Sequence, residues 1–377
     1  MLALTPPMGF NTWNTFGKNI NESIIKEIAD AFVSLGLKDA GYSYIVIDDC
    51  WQEKERDAVT DKILPDKNKF PSGMKALGDY IHSKGLKFGM YSCSGVRTCA
   101  GYPGSFDHEF EDAADFASYG CDLLKYDFCF RPSTVDSKLL YRRMGMALRA
   151  TGRDIVYSVC TGGMDHPEKW ARGVGGHMYR STLDISDSFE SFKGIATGQQ
   201  NNLCYSAPGC FNDLDMLTVG MYGQGNVGDG GCTDIEYTTQ FVLWCLFGTP
   251  LMLGCDPRSM SYETLKLVTN RELISINQDP EYRPPFEVSA HPWMAGKKSY
   301  MRHLSNGEYA VGFFNFGDTE GTVPFYLAAC GLGKQSGYGL VFKNLFTNQV
   351  SEVAKDYFDA VLPPHGCAIY RATIVKL

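Results

Sequence analysis

The sequence predicts an α/β fold, a (β/α)8 TIM barrel over residues 1–283 followed by a C-terminal antiparallel β-sandwich domain over residues 284–377. Three observations carry this. Short apolar runs alternate with segments of helical periodicity as far as about residue 280, and eight such runs can be counted. Near-continuous apolar strands with helices between them require a parallel sheet covered on both faces. Polar residues then gather at the C-terminal ends of several runs, where an eight-stranded barrel carries its functional groups. A doubly wound sheet would want a glycine-rich phosphate turn after the first strand, and none follows Met8-Gly9-Phe10-Asn11.

Taken in order, Met8 to Asn11 opens the barrel, and Ile24, Ile25, Ile28, Phe32 and Leu35 then recur at helical spacing up to a stop at Gly36. Asn21-Glu22-Ser23 matches a glycosylation sequon, but its place before that helix reads better as a cap. Tyr44-Ile45-Val46-Ile47 ends in Asp48 and Asp49. A helix from about Met74 to Ser83 leads to Leu86–Tyr91, and one from Phe110 to Tyr119 leads to Leu123–Asp127. Ser137–Ala150 precedes Ile155–Val159, and the last strands fall at Met178–Thr182, near Gly209–Asn212 and at Thr249–Leu253. Glu281–Trp293, with Pro284, Pro285 and Pro292, reads as a linker. Beyond it, Tyr300–Leu304, Tyr309–Phe316, Thr322–Tyr326, Leu340–Phe346 and Cys367–Thr373 are short strands with glycine punctuation.

Composition narrows the function. The 377 residues are 44% hydrophobic and 21% charged, as in ordinary globular proteins. A net charge of −8 argues against a nucleic-acid partner, because phosphate binding needs clustered Lys and Arg. No apolar segment approaches the roughly 18 residues a membrane helix requires, so no membrane partner is expected. The opening residues lack a charged region and a long apolar region, so a cytoplasmic location is expected. The seven histidines show no metal-binding spacing, so neither metal nor cofactor is expected. Thirteen scattered cysteines read mostly as small buried residues.

The most informative residue is Asp127, at the end of the Leu123–Asp127 run. Lys125 shares its strand face, and an ammonium beside a carboxylate favours the ionised form that a nucleophile needs. A second acidic cluster, Arg180-Ser181-Thr182-Leu183-Asp184-Ile185-Ser186-Asp187, completes a pattern suited to carboxylate-pair chemistry such as glycoside hydrolysis.

Seven motifs occur in register: Met8-Gly9-Phe10-Asn11-Thr12-Trp13, Ile47-Asp48-Asp49-Cys50-Trp51, Thr98-Cys99-Ala100-Gly101-Tyr102-Pro103-Gly104-Ser105, Leu124-Lys125-Tyr126-Asp127, the 180–188 segment, Asn212-Asp213-Leu214-Asp215-Met216-Leu217 and Ile276-Asn277-Gln278-Asp279-Pro280. Together they closely resemble the α-galactosidase and α-N-acetylgalactosaminidase family, family 27 of the glycoside hydrolases. The resemblance implies a barrel with a C-terminal β domain and retention of configuration through a covalent intermediate. It implies Asp127 as nucleophile and Asp184 as general acid/base. It places Trp13, Asp48, Asp49, Tyr91, Lys125 and Arg180 against the sugar, and Cys99, Cys129 and Thr161 around it. Asp213 and Asp215 are implied to be structural, and Asp187 is read as a loop or helix cap. Trp51 is divided between core and sugar contact. A retaining pair needs its carboxyl groups about 5–5.5 Å apart. Asp184 should have a raised pKa, so Arg180 is expected to point away from it, at sugar hydroxyls.

The expected activity is an exo-acting retaining α-galactosidase working on galactose-containing oligosaccharides or glycoconjugates, with a homo-oligomer left open. The alternatives are an α-N-acetylgalactosaminidase, a β-L-arabinopyranosidase and a catalytically dead carbohydrate-binding barrel. Thr161 and Gly162 stand where α-galactosidases of the family often have Glu-Trp, which leaves room for an acetamido group, whereas Asp48 favours galactose. Two family bridges are excluded by Lys18 and Gly176, which supports a reducing compartment. Cys99 and Cys129 match a third bridge and could be either oxidised or thiols.

Overall fold

The computed structural model describes residues 2–288, 294 and 296–377. Eight parallel strands form its first layer: β1 (Met8–Asn11), β2 (Tyr44–Val46), β3 (Lys87–Cys93), β4 (Leu123–Asp127), β5 (Val156–Cys160), β6 (Met178–Arg180), β7 (Phe211–Asp213) and β8 (Leu251–Leu253). They run in the order β7-β6-β5-β4-β3-β2-β1-β8, so each pairs with its sequence neighbour and β1 also pairs with β8. The seam between β7 and β8 is closed partly by a side chain. The Thr249 hydroxyl donates to the Asn212 carbonyl and accepts from the Leu214 amide, and Leu217 bridges to Leu253.

The helices are α1 (Trp13–Phe16), α2 (Glu22–Ser34), α3 (Gly73–Ser83), α4 (Glu109–Ser118), α5 (Ser137–Ala150), α6 (Phe189–Gln199), α7 (Asp234–Phe247), α8 (Tyr262–Val268) and α9 (Arg271–Asn277). Asn21 caps α2, its side chain accepting from the Ile24 amide, as its sequence position predicted. Most of these helices bury one face against the sheet, and α2 does so through Ile25, Ile28, Ala29 and Phe32. None of the described helices is long and apolar enough to cross a membrane.

Strands β9 (Phe286–Glu287), β10 (Lys297–His303), β11 (Tyr309–Asn315), β12 (Gly321–Tyr326), β13 (Tyr338–Asn344), β14 (Tyr357–Leu362) and β15 (Cys367–Lys376) build the second domain. A five-stranded sheet, β13-β15-β11-β10-β9, faces the β12-β14 pair over a core of Val311, Phe313, Val323, Phe325, Leu340 and Phe342. Two strands were not foreseen. β14 alternates exposed and buried residues around Asp359, which hides its apolar content. β9 falls inside the expected linker, where Phe286 and Glu287 pair with Met301 and Tyr300. The remainder of that linker, residues 289–293, lies outside the described residues.

The two domains share one hydrophobic core, because Tyr300, Leu304, Phe314, Leu345 and Ile369 pack into the barrel's cluster. Helix α7 is the common element, buried at every position from Thr239 to Phe247. Arg302 of β10 is fully buried and donates to the Cys245 and Leu246 carbonyls at the end of that helix, with its guanidinium over Tyr282. A cation there also opposes the partial negative charge of the helix C-terminus.

Candidate active site

The C-terminal ends of the strands surround a cavity of about 80 Å³ lined by Trp13, Asp48, Asp49, Tyr91, Cys99, Lys125, Asp127, Arg180 and Asp184, together with Asn14, Ile185, Asp215, Met216 and Val227. Strand alternation explains the first pair: Lys125 and Asp127 lie two residues apart on β4 and point the same way. Strand β2 stops at Val46, and the chain then turns so that consecutive Asp48 and Asp49 both face the cavity.

Hydrogen bonds fix each group. Asp48 Oδ2 accepts from Lys125 Nζ at 2.8 Å and Asn11 Nδ2 at 2.7 Å, and its Oδ1 accepts from the Asp49 amide. Asp49 accepts from the Cys50 and Ala100 amides. Burial nevertheless raises its pKa. Asp127 accepts from Tyr91 Oη at 3.0 Å and from the Phe128 amide at 2.9 Å. Lys125 therefore pairs directly with Asp48, and it reaches Asp127 only through space. Burial raises the Asp127 pKa, the Lys125 charge opposes that rise, and the charges of Asp48 and Asp184 add to it.

On the opposite side, Arg180 at the end of β6 is buried, and its Nη2 lies 2.9 Å from both Asp184 Oδ1 and Asp215 Oδ2. The Asp184 side chain is 81% exposed, open to whatever enters from solvent. Partial loss of hydration raises its pKa, but the charges of Arg180 and Lys125 and the Arg180 hydrogen bond outweigh this and hold it below the ordinary carboxylate value. Both expectations for this corner are thus corrected: Arg180 does point at Asp184, and the Asp184 pKa is lowered. The guanidinium was free to turn outward only if nothing held it within the barrel, and Asp215 holds it.

Four further readings resolve. Cys99 and Cys129 are joined in a disulfide, while the other eleven cysteines are free. Cys99 lines the cavity, and Cys129 stands behind it. Their sulfurs and an Asp127 oxygen lie within 4.8 Å of one another, the one cluster of three metal-type donors among the described residues, but the bridge occupies both sulfurs. Thr161 does not line the cavity; it is buried and donates to the Met164 carbonyl. Gly163, at φ +80°, packs its loop on the Ser181 carbonyl, 2.5 Å from where a Cβ would stand. Trp51 is core, donating to the Tyr91 carbonyl and packing edge-on against Phe116. Asp187 caps no helix: it is fully buried and accepts from the Gly223 amide and Tyr237 Oη.

The lining residues not singled out are Asn14, Ile185, Asp215, Met216 and Val227, and Asn11, outside the lining, holds Asp48 through its amide. Asp215 was visible in the Asn212–Leu217 motif, but an i, i+2 pair of aspartates does not reveal which one meets a cation 35 residues upstream.

A barrel with paired carboxylates at its strand ends, capped by a β-sandwich, defines a glycosidase. A family model described as Alpha galactosidase A matches residues 5–279, and one described as the Alpha galactosidase C-terminal beta sandwich domain matches residues 296–372. The chain belongs to the α-galactosidase family, family 27 of the glycoside hydrolases. Alpha-galactosidase 3 of Arabidopsis thaliana is 41% identical over 373 residues, covering 99% of this chain and 82% of that protein. The crystal structure of alpha-galactosidase I from Mortierella vinacea is 31% identical with a TM-score of 0.90, covering 98% of this chain and 97% of that one. The α-galactosidase of Saccharomyces cerevisiae solved with raffinose is 27% identical with a TM-score of 0.87, covering 99% and 98%.

Proposed function

We propose that this enzyme is an exo-acting α-galactosidase that removes terminal α-linked D-galactose by double displacement with retention at C1. The observation that carries the reading is that Asp127 and Asp184 line one cavity, the first set in it near the Lys125 charge and the second open at the mouth. Asp127 attacks the anomeric carbon while Asp184 gives its proton to the departing oxygen, and Asp184 then takes a proton from the water that cleaves the glycosyl-aspartate. The mutual repulsion of the two carboxylates suits this exchange. The charge on Asp127 favours the protonated acid, and once Asp127 is esterified that charge is gone, the Asp184 pKa falls and the ionised base is favoured.

Asp48, held by Asn11 and Lys125, offers its remaining lone pairs to sugar hydroxyls, and Trp13 offers an apolar face to the ring's C–H side. The cavity is closed beneath by these buried groups, which suits a chain end. Galactosyl oligosaccharides of the raffinose kind, found with the yeast relative, are the substrates this favours. The eleven free cysteines favour a cytoplasmic setting, in which the Cys99–Cys129 bridge has to resist reduction.

Asp127→Asn tests the assignment: turnover should fall by about 10⁴-fold or more while galactose binding survives, since the amide keeps the shape and loses the nucleophile. Substantial residual turnover, or release of product with inverted configuration, would overturn it. Kinetics on p-nitrophenyl α-galactoside against its 2-acetamido analogue decide the sugar, and faster cleavage of the analogue would refute the galactose preference.

A further inference from the structure

We propose that Asp215 is a positioning residue for proton transfer: it divides the hold of Arg180 on Asp184 and fixes the loop that presents Asp184, so that Asp184 can carry a proton to the leaving group. This rests on the reading of Asp184 as the acid/base.

Three separate contacts converge on this side chain. Its Oδ2 lies 2.9 Å from Arg180 Nη2, the same nitrogen that donates to Asp184 at 2.9 Å. The same Oδ2 accepts from the Ile185 amide at 2.8 Å, one residue past Asp184, and Oδ1 accepts from the Met216 amide. One carboxylate thus anchors both the cation and the backbone of the loop. Its own backbone adopts φ +76°, a left-handed conformation that a non-glycine residue keeps only when surroundings enforce it. Trp244 Nε1 donates to the Asp215 carbonyl, and the Asp215 amide donates to Asp213 Oδ1. Such a conformation fits a residue whose place matters more than its local comfort.

The charges around it are few. Arg180 comes from β6, Asp184 from the loop after it, Asp213 from β7, and Lys125 from β4 faces both Asp184 and Asp213. Were Asp215 neutral, Arg180 would turn its whole charge on Asp184, and the repulsion between the two carboxylates would vanish. Both changes favour ionised Asp184 and make it a poorer proton donor. The defect must then depend on how much the leaving group needs a proton.

The experiment measures kcat and KM for Asp215→Asn, Asp215→Glu, Asp184→Ala and the Asp184→Ala/Asp215→Asn double variant on raffinose and on 2,4-dinitrophenyl α-galactoside across pH. For Asp215→Asn, the expected loss in kcat/KM is on the order of 10²-fold on raffinose and about tenfold less on the activated glycoside, with the basic limb moved toward acid. Asp215→Glu, which keeps the charge, should return that limb toward its original position whatever its rate. Adding Asp215→Asn to Asp184→Ala should bring no further selective loss, because the effect passes through Asp184. Equal losses on both substrates with unmoved limbs, or a Glu variant indistinguishable from Asn, would overturn the proposal and leave Asp215 as scaffold. If Asp184→Ala itself shows no leaving-group selectivity, the acid/base reading fails, and this inference falls with it. Should Asp215→Asn not fold, the equally neutral Asp215→Ser takes its place, with the same expected and overturning results.

Discussion

Burial raises the pKa of Asp127, the proposed nucleophile, while the charges of Arg180 and Lys125 lower that of Asp184, the proposed acid/base. The two carboxyl groups titrate as a coupled pair, and the profile of kcat/KM reports both together. A sugar entering the cavity is expected to displace water from Asp184 and raise its pKa. The basic limb of kcat should therefore lie roughly one pH unit above that of kcat/KM. Coincident limbs in a steady-state pH series would show that substrate does not perform this adjustment. That these carboxylates meet in one cavity was legible from the strand ends and the motif register. Their protonation was not, because it depends on where Arg180 points, and Asp215 decides that from another strand.

One element down the chain from Asp184, the buried Asp187 ties the loop after β6 to residues 222–231. It accepts from the Gly223 amide at 2.7 Å and from Tyr237 Oη of α7, while its own amide donates to the Val227 carbonyl. Val227 lines the cavity, so this tie sets part of the rim. Asp187→Ala would leave a buried amide and a buried hydroxyl unpaired, at a cost of about 2–4 kcal/mol in denaturant unfolding, with KM raised through the displaced rim. Tyr237→Phe removes that donor and also the acceptor of the Tyr222 and Cys232 amides, and should cost about 2–3 kcal/mol. An Asp187→Ala protein of unchanged stability would show that the loop is held elsewhere. Sequence position suggests a cap because capping is a local pattern, whereas the actual partners stand 36 and 50 residues away.

At the level of the molecule, the barrel and the β-sandwich unfold from a common core. Arg302 crosses their junction as a fully buried cation. Arg302→Met should keep the packing volume but leave the Cys245 and Leu246 carbonyls of α7 without those bonds, costing about 2–3 kcal/mol. Calorimetry should then show a broader or divided transition, and a single transition at an unchanged Tm would refute the linkage. The order of strands was legible because each buried run is punctuated and the polar ends repeat. The junction was not: α7 is apolar on every side, and periodicity in such a helix does not say what covers each face. Strand β14 was lost for the opposite reason, its outward residues diluting the apolar signal.

The Cys99–Cys129 bridge makes the two sides of the cleft mechanically unequal. It joins the loop after β3 to the loop after β4, directly beside Asp127, so the jaw bearing Asp127 is covalently tied. The opposing jaw, with Asp184 on it, is fastened only by hydrogen bonds and ion pairs that can be exchanged one at a time. A covalent tie on one side and exchangeable bonds on the other make the Asp184 side the one expected to yield when the cleft opens, with Asp127 as its fixed reference.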